Sequence, residues 1–501
     1  MHRQVAALVA FVTSAGVLVM EIVASRLLAP YVGVTLQTYT AIIGVVLAGI
    51  SLGAWFGGRL ADRASDPVRL VSLTLIAAGS LIFASLSLLR FAAWLFTDFE
   101  RRLYVNSSPL QAVLLVVFAF LPPALVASMV SPLLVKASLL DLNRTGREVG
   151  RLSAIGTAGA IFGTFIAGFL LVATISSPVI LFLVGALLVV MGILLWFATR
   201  QRNTPVGSAR VPLAMIVVAG GLGGTVPLHH TPCDVETSYF CASVIEDGSR
   251  VRILQLDTLL HSAVDLDDDA KLIFEYTQSI GTAIDAQFPP GQAIRGLHVG
   301  GGGFTIPRYI RKVRPGSYNL VIERDAEVIM LDRRKLGLVT DENLVARAQD
   351  GRIAMRLAPA SSYDLVVGDA FGGEAVPWHL ATREFTALAR KALRPNGIYA
   401  LNVIDGAPAK FAKAEVATVA AVFPHVAVVA PRQAFAGETG ANFIVVASDS
   451  PLPLEALAAR HREVNLDVVI RSGSALKAWV GSARVLTDSF APVDQLLTVE
   501  G

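Results

Sequence analysis

Six apolar stretches fill the N-terminal half of this chain, at about 4–25, 38–58, 68–90, 112–138, 150–172 and 178–199. A bilayer core takes about 20 consecutive apolar residues per helix. In lipid every backbone polar group must be satisfied within the segment, so runs of this length are restricted to helices. A seventh run, 211–228, is shorter and glycine-rich, with Gly220, Gly221, Gly223 and Gly224. Composition agrees: 54% of the 501 residues are hydrophobic and 16% charged, where a soluble domain carries about 25% charged residues. The net charge is +3 and the arginines gather around the apolar spans, which excludes the basic face that nucleic acid requires. The first span is too long and too charged for a cleavable signal, and no small-residue cleavage site follows it.

Within these spans a few residues carry more than hydrophobicity. Gly49, Gly53 and Gly57 recur every four residues in the second, and Gly159 and Gly163 do so in the fifth. This spacing puts them on one helix face, where a neighbouring helix packs closely. Glu21 lies inside the first span with Arg26 near its end; an ionisable group at that depth faces a partner or a polar cavity, and both a structural and a functional role stay open. Pro122 and Pro123 predict a kink in the fourth span. The stretch GGRLADR (57–63) resembles the loop after the second helix of major-facilitator transporters, and it serves equally as a positive-inside anchor. The spans are too few for a complete transporter of that family.

Basic loop residues fall mostly on one side of such a bundle: Arg3, Arg59, Arg63, Arg69, Lys136, Arg144, Arg147, Arg151, Arg200, Arg202 and Arg210, against Arg26, Arg90, Arg101 and Arg102. The positive-inside rule therefore puts the N-terminus in the cytoplasm, and seven spans would leave the remainder outside. Two cysteines, Cys233 and Cys241, follow the last run. They are either unrelated thiols or a short disulfide loop, which needs an oxidising compartment. His229 and His230 stand nearby, but the spacing matches no zinc pattern, and no metal site is expected.

From about 229 the pattern changes. VETSYFCASVIED and RVRILQLDTLLHSAVDL alternate like strands and predict a small antiparallel layer, and DDDAKLIFEYTQSIGTAIDA has helical spacing. Strands expected at 295–300, 318–323, 352–357, 363–368 and 397–403 alternate with helices, which implies a parallel sheet covered on both faces. Late strands at 425–431 and 442–448 suggest an antiparallel edge. The expected organisation is a transmembrane bundle of about seven helices over 1–228, a small β layer and first helix over 229–290, and a Rossmann-like nucleoside-binding domain of class I methyltransferase type over 291–501.

Inside that domain four short segments each end on glycine or an acid: LHVGGGGFTIPRYI (297–310), LVIERD (320–325), AQDGRI (348–353) and YDLVVGDAF (363–371). A nucleoside site needs this order. Gly300, Gly301, Gly302 and Gly303 let a ligand lie against backbone. Glu323, about 20 residues on, is placed for the ribose hydroxyls. Asp350 with Gly351, read as preceding the third strand, reaches towards the adenine amino group. Asp369 ends the fourth strand and faces the crevice beyond the sheet.

These segments resemble the spermidine synthase (polyamine aminopropyltransferase) family over about 235 to 450, and its membrane-fused bacterial branch in particular, whose apolar half is similar to residues 10–63. ETSYFCASV looks like the family's first strand and LDTLLHSAVDLDDDAKLIFEYTQ like its second strand and first helix, so Tyr276 falls on the active-site tyrosine. Asp369 matches the proton acceptor, and the glycine loop, Glu323 and Asp350–Gly351 match the nucleoside site. The amine side departs from the family. Gly303 stands where GGGDGG has its acid, DAFG replaces a DSSD-like segment so that Gly372 takes its second acid, Phe240 replaces a glutamine, and Thr277 stands where His or Gln is usual. Without those acids a dication such as putrescine loses electrostatic anchoring.

The resemblance implies a membrane-anchored transferase that moves an aminopropyl or related alkyl group from decarboxylated S-adenosylmethionine, or S-adenosylmethionine, to a small amine. No prosthetic group is implied, and a homodimer is allowed. The rival readings are a nucleoside- or polyamine-binding transport or sensor protein without turnover, and an S-adenosylmethionine-dependent methyltransferase. The partners expected are a lipid bilayer and a small amine acceptor, with no nucleic acid. The cell membrane is the expected location; charge bias and the cysteine pair favour an extracytoplasmic soluble part, whereas the cytoplasmic origin of adenosyl donors argues for an inside one with a re-entrant seventh segment.

Overall fold

The computed structural model describes residues 1–33, 36–103, 108–139, 145–199, 233–370 and 376–497. The chain divides into two compact units, Met1–Ser238 and Tyr239–Gly501. Among the described residues six helices are long and apolar enough to cross a membrane: Arg3–Val32, Leu36–Arg63, Pro67–Leu95, Leu110–Ser138, Thr145–Thr174 and Ser177–Ala198. The run at 211–228, His229, His230 and Gly372 lie outside the described residues.

Both glycine ladders are packing surfaces. A Cβ on Gly53 would sit 2.8 Å from the Ser128 Cβ, and one on Gly57 would sit 2.7 Å from the Met129 Cα. Gly159 and Gly163 approach the first helix as closely, 2.8 Å from the Cα atoms of Phe11 and Ala15. Larger residues at any of these four positions would push the helices apart. The fourth span is interrupted at Met129, between helices Ser108–Ser128 and Val130–Ser138, and not at the Pro122–Pro123 pair, which stays inside its helix. The break comes just ahead of Pro132, whose ring lacks an N–H for the carbonyl of Ser128 and crowds it.

Charges gather at the ends of the bundle. Near the N-terminus Arg3 pairs with Glu148, Arg151 lies 3.9 Å from the same carboxylate, and the terminal ammonium donates to the Ala137 carbonyl at 3.0 Å. At the opposite end Arg26 pairs with Glu236, in the two-residue strand β1 (Val235–Glu236), at 3.0 Å. Glu236 also accepts from the backbone N–H of Ser177 at 3.0 Å. The partner of Arg26 is thus Glu236, and not Glu21 five residues before it. Neither cysteine is free: Cys233 and Cys241 are both disulfide-bonded.

In the second unit β2 (Cys241–Asp247), β3 (Val251–Leu256) and β4 (Leu259–Asp265) pair antiparallel, the small layer expected from their alternation. The helix Glu275–Gln287 leads into an eight-stranded sheet. Its strands are β5 (Arg295–Val299), β6 (Tyr318–Glu323), β7 (Leu344–Ala348), β8 (Tyr363–Gly368), β9 (Leu393–Asp405), β10 (His425–Ala430), β11 (Ala441–Ser448) and β12 (Val469–Ser472), in the order β12-β10-β11-β9-β8-β5-β6-β7. The pairs from β7 through β9 are parallel, and those joining β9, β11, β10 and β12 are antiparallel. This is the class I methyltransferase order, and the chain reverses direction across the sheet at the β5–β8 boundary, where open α/β sheets bind ligands. Both faces are covered: Leu297, Val299 and Val366 pack with Phe385 and Phe411, while Leu365 and Val367 pack with Ile280, Ile284 and Ile310. Burial on both sides explains why these strands read as continuous apolar runs.

One expected strand is a helix. Residues 352–357 belong to the helix Gly351–Leu357, capped by Asp350, whose side chain accepts from the Ile353 N–H at 3.0 Å. The third parallel strand is β7, at the sheet edge. Its half-exposed sequence LVARA lacks the apolar run of a central strand, whereas GRIAMRL is a capped helix that buries Gly351 and Met355 one turn apart.

Candidate functional site

The carboxyl ends of β5, β6, β7 and β8 bring together the glycine loop, Glu323, Asp350–Gly351 and Asp369. Two backbone bonds fix the centre: the Gly300 N–H donates to the Ile322 carbonyl at 2.9 Å, and the Asp369 N–H to the Val299 carbonyl at 2.8 Å. Gly300 has φ +105°, and a Cβ there would run into the Asp369 carbonyl. Only glycine lets β5 and β8 close to this distance. Glu323 faces the loop across the gap. Its carboxylate accepts from the Gly301 N–H at 2.9 Å and the Asp325 N–H at 2.8 Å. Burial raises its pKa, and these backbone N–H groups oppose that rise.

Asp350 and Gly351 sit at the end of β7 and the start of the following helix. One Asp350 oxygen caps that helix, and the other lies 3.6 Å from His379 Nε2. Gly351 is closed to a side chain, since a Cβ would meet Val299 Cγ1 at 2.6 Å. The pair therefore borders the site at the sheet edge, although it follows its strand instead of preceding one.

Tyr276 comes from the helix Glu275–Gln287 and meets Asp369. Its hydroxyl donates to the His261 carbonyl at 3.0 Å and stands close enough to the Asp369 carboxylate for the two to shift each other's protonation. Asn402, on β9, donates to Asp369 Oδ1 at 2.8 Å, and Asn442, on β11, donates to Asn402 Oδ1 at 2.9 Å. Burial pushes the Asp369 carboxyl up to about 6, against the Asn402 and Tyr276 hydrogen bonds, which favour its ionised form. Burial also raises the Tyr276 hydroxyl far above its usual range, with the Asp369 charge adding to it. A carboxylate with such a pKa gains and loses a proton near neutrality, which suits an acid–base group.

Sequence reasoning passed over Asn402 and Asn442. An asparagine within the apolar strand YALNVI was the available signal, because a buried amide needs a partner. It also passed over the underside of the loop. Asp332, fully buried, accepts from the Gly303 N–H at 3.2 Å, and burial raises its pKa far above the usual carboxylate range. Gly303 has φ +69°, and a Cβ there would collide with the Ser262 hydroxyl. The glycine at the position of the family's acid is thus built into the packing. Beside it, burial holds the His261 imidazole down at about 4, so it is neutral, and its ring lies 6.3 Å from that of Phe240. Thr277 is buried and donates to the Phe274 carbonyl at 2.6 Å, a local helix bond.

No protein-family model matches the chain. A polyamine aminopropyltransferase of Vibrio vulnificus (strain CMCP6) is 28% identical over 240 residues, covering 46% of this chain and 77% of that protein. A second, of Chromobacterium violaceum, is 24% identical over 164 residues, 32% of this chain and 61% of its own length. Among solved structures, a probable spermidine synthase from Corynebacterium glutamicum ATCC 13032 is 25% identical with a TM-score of 0.47, covering 53% of this chain and 98% of that one.

Proposed function

The C-terminal half of this chain is spermidine synthase-like, and from that premise we propose that it transfers an alkyl group from an adenosyl sulfonium donor to a small amine. Gly300, Gly301, Gly302 and Gly303 receive the donor's nucleoside, Glu323 holds the ribose diol, and Asp350 with Gly351 borders the base. The amine nitrogen attacks a carbon bonded to the positive sulfur; a C–N bond forms, the C–S bond breaks, and its electron pair leaves with sulfur as a neutral thioether. The ammonium product sheds one proton to Asp369. Tyr276 and Asn402 hold that carboxylate in line, so the enzyme's contribution is alignment and proton removal. The carrying observation is the meeting of Tyr276, Asn402 and an Asp369 poised at about 6. Incubating the purified chain with donor and an amine panel, and analysing products by mass spectrometry, tests it: a nucleoside thioether with an equivalent of alkylated amine supports it.

Decarboxylated S-adenosylmethionine and S-adenosylmethionine both remain within this reading. The closed Gly303 position favours an amine other than a diamine dication, because no acid can stand there to hold an ammonium end. A methyl addition in place of an aminopropyl addition would assign the donor. The relatives' name, polyamine aminopropyltransferase, supports an amine acceptor.

The unit is carried at a membrane. Thr199 ends the sixth helix on the N-terminal side of the bundle, whereas Glu236 contacts Ser177 and Arg26 at the other end. Glu236 therefore lies at the end of the bundle opposite Met1. With the N-terminus cytoplasmic by charge bias, the soluble unit is extracytoplasmic, in keeping with disulfide-bonded Cys233 and Cys241. A membrane-impermeant maleimide applied to intact cells after reduction labels both cysteines in this arrangement. Labelling that requires lysis places the unit in the cytoplasm.

A further inference from the structure

The membrane unit holds a second cavity, independent of the transferase site. Four segments, from the spans Arg3–Val32, Leu36–Arg63, Leu110–Ser138 and Thr145–Thr174, enclose a cleft of about 290 Å³. Six hydroxyls line it: Thr13, Ser14, Ser128, Ser131, Ser153 and Thr157. No charged residue is among its lining.

Many hydroxyls elsewhere in the spans are spent within their own helix, although that of Ser138, at the end of the fourth span, is buried without a partner. Thr40 donates to the Leu36 carbonyl at 2.8 Å, Thr74 to Leu70 at 2.8 Å, Ser80 to Ile76 at 2.7 Å and Thr164 to Ala160 at 3.0 Å. That is how an isolated hydroxyl is tolerated in lipid. Among the described residues the six cleft hydroxyls make no such bond. Thr13 is the sharpest case, 5% exposed with its Oγ1 buried and unpartnered. The helix break at Met129 lies between the cleft residues Ser128 and Val130, and Pro132 supplies no N–H to the Ser128 carbonyl. Interrupted backbone at membrane depth is sustained where it lines a polar cavity.

Unpaired hydroxyls are both donors and acceptors, and leaving such a group without a partner in an apolar medium is costly. Something therefore satisfies them. An ion in the cleft would have no counter-charge, which is strongly unfavourable at the bilayer centre. We propose that this cleft is a hydrated binding site for a small uncharged solute carrying several hydrogen-bonding groups. The volume suits it, since at about 30 Å³ per water it holds on the order of ten waters or one solute of that bulk.

Single cysteines test this in the full chain in native membranes, because both native cysteines are disulfide-bonded and do not compete. Ser128→Cys, Ser131→Cys and Ser153→Cys are near-isosteric and independent, so one that misfolds leaves two. The probes are the neutral 2-hydroxyethyl methanethiosulfonate and its trimethylammonioethyl counterpart, with lipid-facing Thr164→Cys as the control. The proposal expects the cleft thiols to react with the neutral probe, at least about tenfold faster than with the cationic one, as an uncompensated charge demands, and Thr164→Cys to stay unmodified. Cleft thiols as inert as Thr164→Cys would mean that lipid fills the seam. Equal rates with both probes would mean that the site admits cations. Either result overturns the proposal.

Discussion

The two halves of the proposed transferase site are built from different materials. The nucleoside half is backbone: Gly300 and Gly301 held by their N–H groups, a carboxylate that accepts from Gly301 and from one further N–H, and positions that a Cβ would close. The acceptor half is side chain: Tyr276, Asn402 and Asn442 converging on Asp369, with neutral His261 near Phe240. Backbone geometry is shared by any sequence with the right glycines, so that half admits little variation. A side-chain network can be rewritten one residue at a time, and that is the half in which this chain departs from the pattern it resembles.

Breaking the acceptor half should have the largest effect. Asp369→Asn keeps shape but cannot accept a proton, so turnover falls by about 10² or more, while calorimetry still finds the adenosyl ligand bound. The unaltered protein loses activity as pH drops below about 6, where Asp369 becomes protonated, with a slope approaching tenfold per unit. That acid limb is absent from the Asn variant's residual rate. An unchanged limb would assign the titration to another group.

On the nucleoside side, Glu323→Gln should weaken adenosyl-ligand binding by about 1.5–3 kcal/mol, the range for hydrogen bonds to a charged group. Equal affinity in a folded variant would remove Glu323 from the ribose site. Gly303→Asp comes next. Restoring the acid at a position with φ +69° against Ser262 should lower stability by about 1–2 kcal/mol or more and leave putrescine a poor substrate. Improved putrescine use with no loss in thermal unfolding would show that the loop tolerates what its packing forbids. The smallest effect is expected of Asn402→Leu. The lost hydrogen bond had favoured ionised Asp369, so the acid limb moves to higher pH, while the rate in alkaline solution, where Asp369 stays ionised, changes little.

Much of this was legible because the governing signals are local. Spanning helices declare themselves by length, and β5, β6 and β8 by apolar runs ending on glycine or acid. The helix Gly351–Leu357 was misread as a strand because a short apolar run carries no clear period, and Asp350 was weighed as a ligand group before it was weighed as a cap. Asp332 and the free hydroxyls at Thr13 and Ser131 were not legible for another reason. Each looks ordinary in its own segment and acquires meaning only from what a distant segment places, or fails to place, beside it. The break at Met129 belongs with these: Pro122 and Pro123 drew attention, whereas Pro132 falls where the helix gives way.

The most direct measurement follows the donor's fate. Purified full-length protein is incubated with decarboxylated S-adenosylmethionine, or with S-adenosylmethionine, and a panel of neutral and monobasic amines near pH 8, and the nucleoside product and alkylated amine are quantified together by mass spectrometry. The account predicts equimolar nucleoside thioether and alkylated amine with at least one donor, abolished by Asp369→Asn. Tight nucleoside binding with no product above the Asp369→Asn background, for any donor and amine, would contradict it and leave a binding protein in its place.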